Sequence, residues 1–232
     1  TEYPNTTMKP FLTLAETQTP DGSRFSLHRH DRDFSLKYNG TQLMTSGWTE
    51  SELLLADEAC RFARPHPAPK VVIGGLGLGF SLKRVLELVD KDASVCVAEL
   101  LPEVVEWNRE FLQEVNGPLL DEPRVSVYVG DVYQCIAKAG KSAFDAILLD
   151  VDNGPSFTIQ PDNKRLYDPH GLDMIYDALK PGGRVTFWAA DPERGFPKKL
   201  RKAGFFADEI SAKAHKGAKR AIHRIYIGEK KG

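Results

Sequence analysis

Apolar and polar residues alternate along the first fifth of the chain, and the period changes near residue 70. Short runs of strand-like composition cover Phe11–Ala15, Phe25–Arg29, Phe34–Tyr38 and Gln42–Thr45. Turn-forming groups separate them: Pro20-Asp21-Gly22, His30-Asp31-Arg32-Asp33 and Asn39-Gly40. An Asn-Gly pair between alternating runs favours a two-residue hairpin, because both residues tolerate positive φ. Residues 1–47 are therefore expected to form a small antiparallel β region. A helix is expected over Thr49–Phe62, with Thr49 as its cap and Glu52 three positions on, as in a capping box. It leads into Arg64-Pro65-His66-Pro67-Ala68-Pro69, where proline breaks both helix and ladder, so residues 48–69 read as helix and linker.

From Lys70 the chain alternates strand and helix, which implies right-handed crossovers and a mostly parallel sheet. Strands are predicted at Val71–Gly74, Ser94–Glu99, Val125–Val129, Ala143–Asp150, Gly183–Ala189, Phe205–Ser211 and Ala221–Gly228. Helices fall near 79–89, 101–114, 131–139, 168–179 and 193–203. The last two strands follow one another directly, so an antiparallel hairpin is expected at the sheet edge. An α/β domain over residues 70–232 with seven strands in this order has the Rossmann-like sheet of class I methyltransferases.

Composition changes this picture little. Apolar residues make up 41% and charged residues 27% of 232, enough for a sizeable core. A net charge of −1 gives the whole molecule no field that favours nucleic acid or membrane. No apolar run is long enough to span a bilayer, and Thr1–Pro10 lacks a secretory pattern, so a cytoplasmic protein is expected. Cys60, Cys96 and Cys135 are far apart in sequence and read as small apolar residues in a reducing compartment, with no metal site.

The candidate chemistry lies at strand ends. Val71-Val72-Ile73-Gly74-Gly75-Leu76-Gly77-Leu78-Gly79 is an apolar strand entering a glycine turn and then a helix. Gly74, Gly75, Gly77 and Gly79 let backbone approach a ligand closely. The second strand ends at Glu99, followed by Leu100, and places a carboxylate where it can accept both ribose hydroxyls. The third ends at Gly130-Asp131-Val132, an acid for an adenine amino group and an apolar cover for the ring. The fourth ends at Asp150. Ligands bind at this rim of open α/β sheets, although each acid can also simply cap the next helix. Gly130-Asp131, Asp150 and the Leu179-Lys180-Pro181-Gly182-Gly183 turn favour a sulfonium nucleotide over a nicotinamide.

On these residues the chain resembles the spermidine synthase family (polyamine aminopropyltransferases) over roughly residues 34–190. The similarity takes in Tyr38-Asn39-Gly40-Thr41-Gln42-Leu43, Gly74-Gly75, Glu99-Leu100-Leu101-Pro102-Glu103-Val104-Val105-Glu106 and Gly130-Asp131. It continues through Leu148-Leu149-Asp150-Val151-Asp152-Asn153-Gly154-Pro155 and Leu166-Tyr167. The resemblance implies aminopropyl transfer from decarboxylated S-adenosylmethionine to an amine. It implies that Asp150 is the base, with Asp152 holding the amine, Tyr167 lining its cavity and Gln42 on the substrate side. Three departures stand out. Gly77 replaces an aspartate that pairs with the ammonium of the aminopropyl arm, Glu50-Ser51-Glu52 stands where the family has Tyr-His-Glu, and the family's Asp-Ser-x-Asp-Pro loop is shortened to Asp150-Val151-Asp152-Asn153-Gly154-Pro155.

Two other readings share the scaffold. One is methyl transfer from S-adenosylmethionine to a small molecule or RNA; the other is a nucleotide-binding paralogue without turnover. Seven Lys or Arg, two His and a single acid between Lys213 and Lys231 make the final hairpin a basic finger, open to a phosphate or RNA contact. His28 and His30 share a strand face, Trp188 lies near a ligand-facing strand end, and a homodimer is expected from the family resemblance.

Overall fold

The alternating runs at the start of the chain pair in order as an antiparallel meander: β1 (Phe11–Gln18), β2 (Arg24–His30), β3 (Asp33–Tyr38) and β4 (Thr41–Thr45). The computed structural model describes residues 10–61, 67–151, 154–155 and 161–232. Asn39 and Gly40 take φ of 48° and 82°, the positive-φ turn that joins β3 to β4. Leu27, Leu36 and Phe34 are buried, Leu27 opposite Leu36 across the β2–β3 pair. His28 and His30 have separate settings. His28 hydrogen-bonds the hydroxyls of Thr13 (3.2 Å) and Ser26 (2.9 Å), and His30 stacks on Phe11 at 4.0 Å.

The chain divides into two compact units between Trp48 and Thr49. The second begins with α1 (Glu50–Ala59) and builds one sheet from β5 (Lys70–Gly74), β6 (Ser94–Glu99), β7 (Val125–Val129), β8 (Phe144–Leu149), β9 (Leu179–Ala189), β10 (Phe206–Ala212) and β11 (His223–Glu229). Its strand order is β10-β11-β9-β8-β5-β6-β7. The pairs from β9 to β7 are parallel, and β11 runs antiparallel to both of its neighbours. The last strand thus enters between β9 and β10, and β10 takes the edge. This is the class I methyltransferase sheet. Its helices are α2 (Phe80–Leu88), α3 (Pro102–Glu110), α4 (Gln113–Asn116), α5 (Val132–Ala139), α6 (Pro169–Ala178) and α7 (Phe196–Lys202). Among the described residues no helix is long and apolar enough to cross a membrane.

Three local expectations are corrected. The helix expected over 101–114 breaks into α3 and α4, because the Leu112 N–H reaches back five residues to the Trp107 carbonyl at 3.2 Å. Thr49 makes no side-chain cap; its φ and ψ of −121° and −4° lie outside the extended region a capping residue needs. Glu52, freed from that role, faces the interior and is 6% exposed. The Lys180-Pro181-Gly182-Gly183 turn is absorbed into β9 as a wide bulge, with Leu179 opposite Phe144 and Arg184 opposite Ala146. Asp145 anchors it, accepting from Lys180 Nζ and the Lys70 N–H at 2.7 Å each.

Side-chain contacts fix α1 against the sheet. The Thr186 hydroxyl donates to the Leu55 carbonyl (3.3 Å), Arg184 to the Glu58 carbonyl (3.1 Å), and Arg84 of α2 pairs with Asp57 (2.7 Å). The face that carries Glu52 is therefore held in one orientation.

Candidate active site

Four strand ends are stitched together by backbone. The Gly75 N–H donates to the Ala98 carbonyl (2.9 Å), Asp150 N–H to Gly74 (3.0 Å) and Gly130 N–H to Glu99 (2.7 Å). Gly75 and Gly79 both take φ of 88°, and Gly77 takes 50°. A side chain on Gly75 would run into the Asp150 backbone carbonyl, and one on Gly74 would meet Val132 at 2.9 Å. Gly75 is required by close approach as well as by φ, and Gly74 by close approach. Two amides hold the turn from outside: Asn108 donates to the Gly77 carbonyl (2.9 Å) and Asn116 to Leu78 (2.6 Å).

Glu99 ends β6 buried, with one oxygen accepting the Leu76 N–H and the other the Leu101 N–H, both at 2.9 Å. Burial raises its pKa, against the lowering effect of these backbone donors. The Leu100 side chain beside it is 36% exposed. At the end of β7, Asp131 caps α5 by accepting from the Tyr133 N–H at 2.8 Å, and it also pairs with Arg165. Arg165 lies over the Tyr133 ring at 4.4 Å. The capping role is thus real, and the Asp131 carboxylate already has two partners. Val132 is 4% exposed and packs on Gly74.

Asp150 follows β8, partly buried, with the Ser81 hydroxyl of α2 at 3.4 Å. Burial pushes its pKa up to about 6. Glu52 of α1 lies close enough to feel its charge. Burial first, and then the negative charge of Asp150, push the Glu52 carboxyl up to about 7, while Ser51 Oγ donates to it at 2.6 Å. Two carboxyls in one poorly solvated region resist double ionisation, so they hold a proton between them in the neutral range. Glu52 and Ser81 are the members that sequence reasoning missed. The available signal was the Glu52 position itself, the acid of the segment that stands for Tyr-His-Glu.

The remaining candidates are spread out. Tyr167 is 3% exposed, inside an aromatic cluster with Phe187 (5.9 Å) and Phe196 (6.0 Å). Gln42 is exposed on β4 of the first unit. Asp152 lies outside the described residues. Trp188 lies tilted against His223 at 4.9 Å, and among the described residues its buried indole N–H has no hydrogen-bond partner. The basic loop between β10 and β11 begins at α1: the Glu50 N–H donates to the Ala214 carbonyl at 3.4 Å. Lys213, Lys216, Lys219 and Arg220 are exposed on it. Cation-bearing loop and buried acids thus lie at the same end of α1.

This arrangement has relatives. A polyamine aminopropyltransferase of Aeropyrum pernix is 31% identical over 123 residues, covering 51% of this chain and 37% of that protein. In sequence the chain is similar to polyamine aminopropyltransferases over about half of its length. A putrescine N-methyltransferase of Nicotiana attenuata is 29% identical over 123 residues, covering 52% of the chain and 30% of that protein. The matches therefore span about a third of the length of these two relatives. Spermidine synthase from Thermotoga maritima superimposes with a TM-score of 0.74 at 20% identity, over 94% of this chain and 72% of that one, and shows the fold. No family model matches the chain.

Proposed function

We propose that the chain is a transferase that moves an aminopropyl group from decarboxylated S-adenosylmethionine to a small amine. The observation that carries this reading is the Asp150 carboxyl. It stands next to the glycine turn and is held near neutrality by burial, so it can both attract an ammonium and take its proton. The glycine turn from Gly74 to Gly79 would face the sulfonium arm. Glu99, held at the end of β6 against the glycine turn, is assigned to the two ribose hydroxyls, and exposed Leu100 offers the apolar surface beside them. Gly130, Asp131 and Val132 would border the adenine, with Asp131 sharing its carboxylate between the base and Arg165. Asp152 and Tyr167 are assigned to the acceptor side, Tyr167 as a wall set by its aromatic neighbours.

In the reaction the acceptor ammonium gives a proton to Asp150. The free amine then attacks the methylene carbon bonded to sulfur; a C–N bond forms, the C–S bond breaks, and sulfur keeps the electron pair as a neutral thioether. Glu52, raised by burial and by the Asp150 charge, shares with Asp150 the proton the pair retains, which leaves one negative charge to hold a cation. Asp150→Asn is expected to lower kcat by about 10²–10⁴-fold while nucleotide affinity stays within a few-fold, read by turnover and calorimetry on the same preparation. Undiminished turnover would remove Asp150 from this role.

Gly77 favours a second reading, methyl transfer from intact S-adenosylmethionine. A glycine brings no carboxylate to this point of the turn, where the resembled family carries an aspartate that would repel the donor's own carboxylate. Calorimetry with the two donors separates the readings: preference for the decarboxylated form supports aminopropyl transfer, and equal or tighter binding of the intact form supports methyl transfer. RNA as acceptor belongs to this second reading and would engage Lys216, Lys219 and Arg220.

A further inference from the structure

Two cysteines that lie 39 positions apart in sequence meet in the fold. Cys96, in the middle of β6, and Cys135, in the second turn of α5, place their sulfurs 3.9 Å apart. Cys96 shares the β6 face of Ala98, on which α5 packs, and both thiols are partly exposed. Neither is needed for the transfer chemistry above.

We infer that Cys96 and Cys135 form a redox-sensitive dithiol that closes reversibly to an intramolecular disulfide. The sulfurs must approach from 3.9 Å to about 2.05 Å, a movement that small rotations of the two side chains and a slight shift of α5 on β6 can supply. The surroundings also divide the labour between the two thiols. The Cys96 thiol is drawn down to about 7, chiefly by its contact with Cys135 and with help from Ser126, its cross-strand partner on β7. Cys135 is pushed up, first by Cys96 and then by burial, although Lys138 one turn on opposes this. Cys96 is thus the attacking sulfur and Cys135 the resolving one.

The oxidant class is a small disulfide such as oxidised glutathione. The Cys96 thiolate attacks one glutathione sulfur, forming a mixed disulfide and expelling a glutathione thiolate. Cys135 then loses its proton and attacks Cys96, expelling the second thiolate. The two protons released by the protein thiols go to the two glutathione thiolates, so one oxidised glutathione yields two reduced ones and one protein disulfide. The bond would tie β6, which ends in Glu99, to α5, which starts next to Asp131.

The full chain, fully reduced and then treated with oxidised glutathione, tests this by intact mass and peptide mapping after alkylation. The expected product is lighter by two hydrogen atoms, carries a Cys96–Cys135 cross-linked peptide and returns to the starting mass with dithiothreitol. Cys60 is the internal control: burial and the charge of Asp57 push its thiol up to about 12, so it should remain alkylatable throughout. Cys135→Ser should stop at a mixed disulfide on Cys96, and Cys96→Ser should show neither product. A wild-type chain that keeps all three thiols free, or that accumulates only glutathione adducts without the cross-link, would overturn the inference. The wild-type result decides it even if a variant folds poorly.

Discussion

Asp150 and Glu52 each have a folded pKa above the ordinary value, about 6 against 3.8 and about 7 against 4.5. A carboxyl raised in this way favours the folded state when protonated. That stabilisation is fully present below the ordinary pKa and is lost as pH rises through the folded value. Both acids should therefore make the second unit less stable between about pH 4 and about pH 7. Glu52→Gln keeps an acceptor for Ser51 and removes the buried charge. It is expected to stabilise the protein by on the order of 1–3 kcal/mol near pH 8 and to change little near pH 4. Urea unfolding at the two pH values checks this, and an equal effect at both would contradict a buried charge at Glu52. Activity runs the other way, because the base works ionised. The rate should climb with pH through an apparent pKa of about 6 to 7 that belongs to the pair. In Glu52→Gln the rising limb should move to lower pH, since Asp150 loses a negative neighbour; an unmoved limb would separate Glu52 from the base.

At the scale of elements, the β5–α2 turn carries the most constraint. Gly75→Ala places a side chain at φ of 88° and against the Asp150 carbonyl, where backbone cannot give way cheaply. It should cost about 1–3 kcal/mol of stability and sharply weaken nucleotide binding. Gly171→Ala offers the comparison, because its side chain would meet the Arg165 carbonyl at the start of α6. There a stability loss should come with a smaller effect on affinity in those molecules that fold, measured by thermal melting and calorimetry. This turn was legible in the sequence because apolar strand, glycines and helix are all local signals. So were the Asn39-Gly40 hairpin and the seven strands. Less legible were features decided by distant partners. The Asp131–Arg165 pair was one, because nothing nearby in sequence announces Arg165. Thr49 read as a cap because residue type does not fix its backbone angles. Cys96 and Cys135 read as unrelated because only the βα packing brings them together.

For the whole molecule, a net charge of −1 conceals an uneven distribution: buried acids by α1 and exposed cations on the β10–β11 loop that begins beside it. Such a loop opposes the approach of a cationic amine through water, where salt screens it over about 10 Å at 0.1 M. Neutralising Lys216, Lys219 and Arg220 together should lower KM for a diamine a few-fold at low salt, with kcat nearly unchanged and the difference fading as salt rises. A raised KM would mean that the loop instead recognises an acceptor bearing an anionic group. The central claim, aminopropyl transfer, is tested most directly by incubating the full chain with decarboxylated S-adenosylmethionine and a panel of small amines, and assaying the nucleoside product by mass spectrometry. The expected result is 5′-methylthioadenosine together with an amine heavier by one aminopropyl group. The contradicting result is no such product with the decarboxylated donor, and S-adenosylhomocysteine with a methylated acceptor when intact S-adenosylmethionine is supplied.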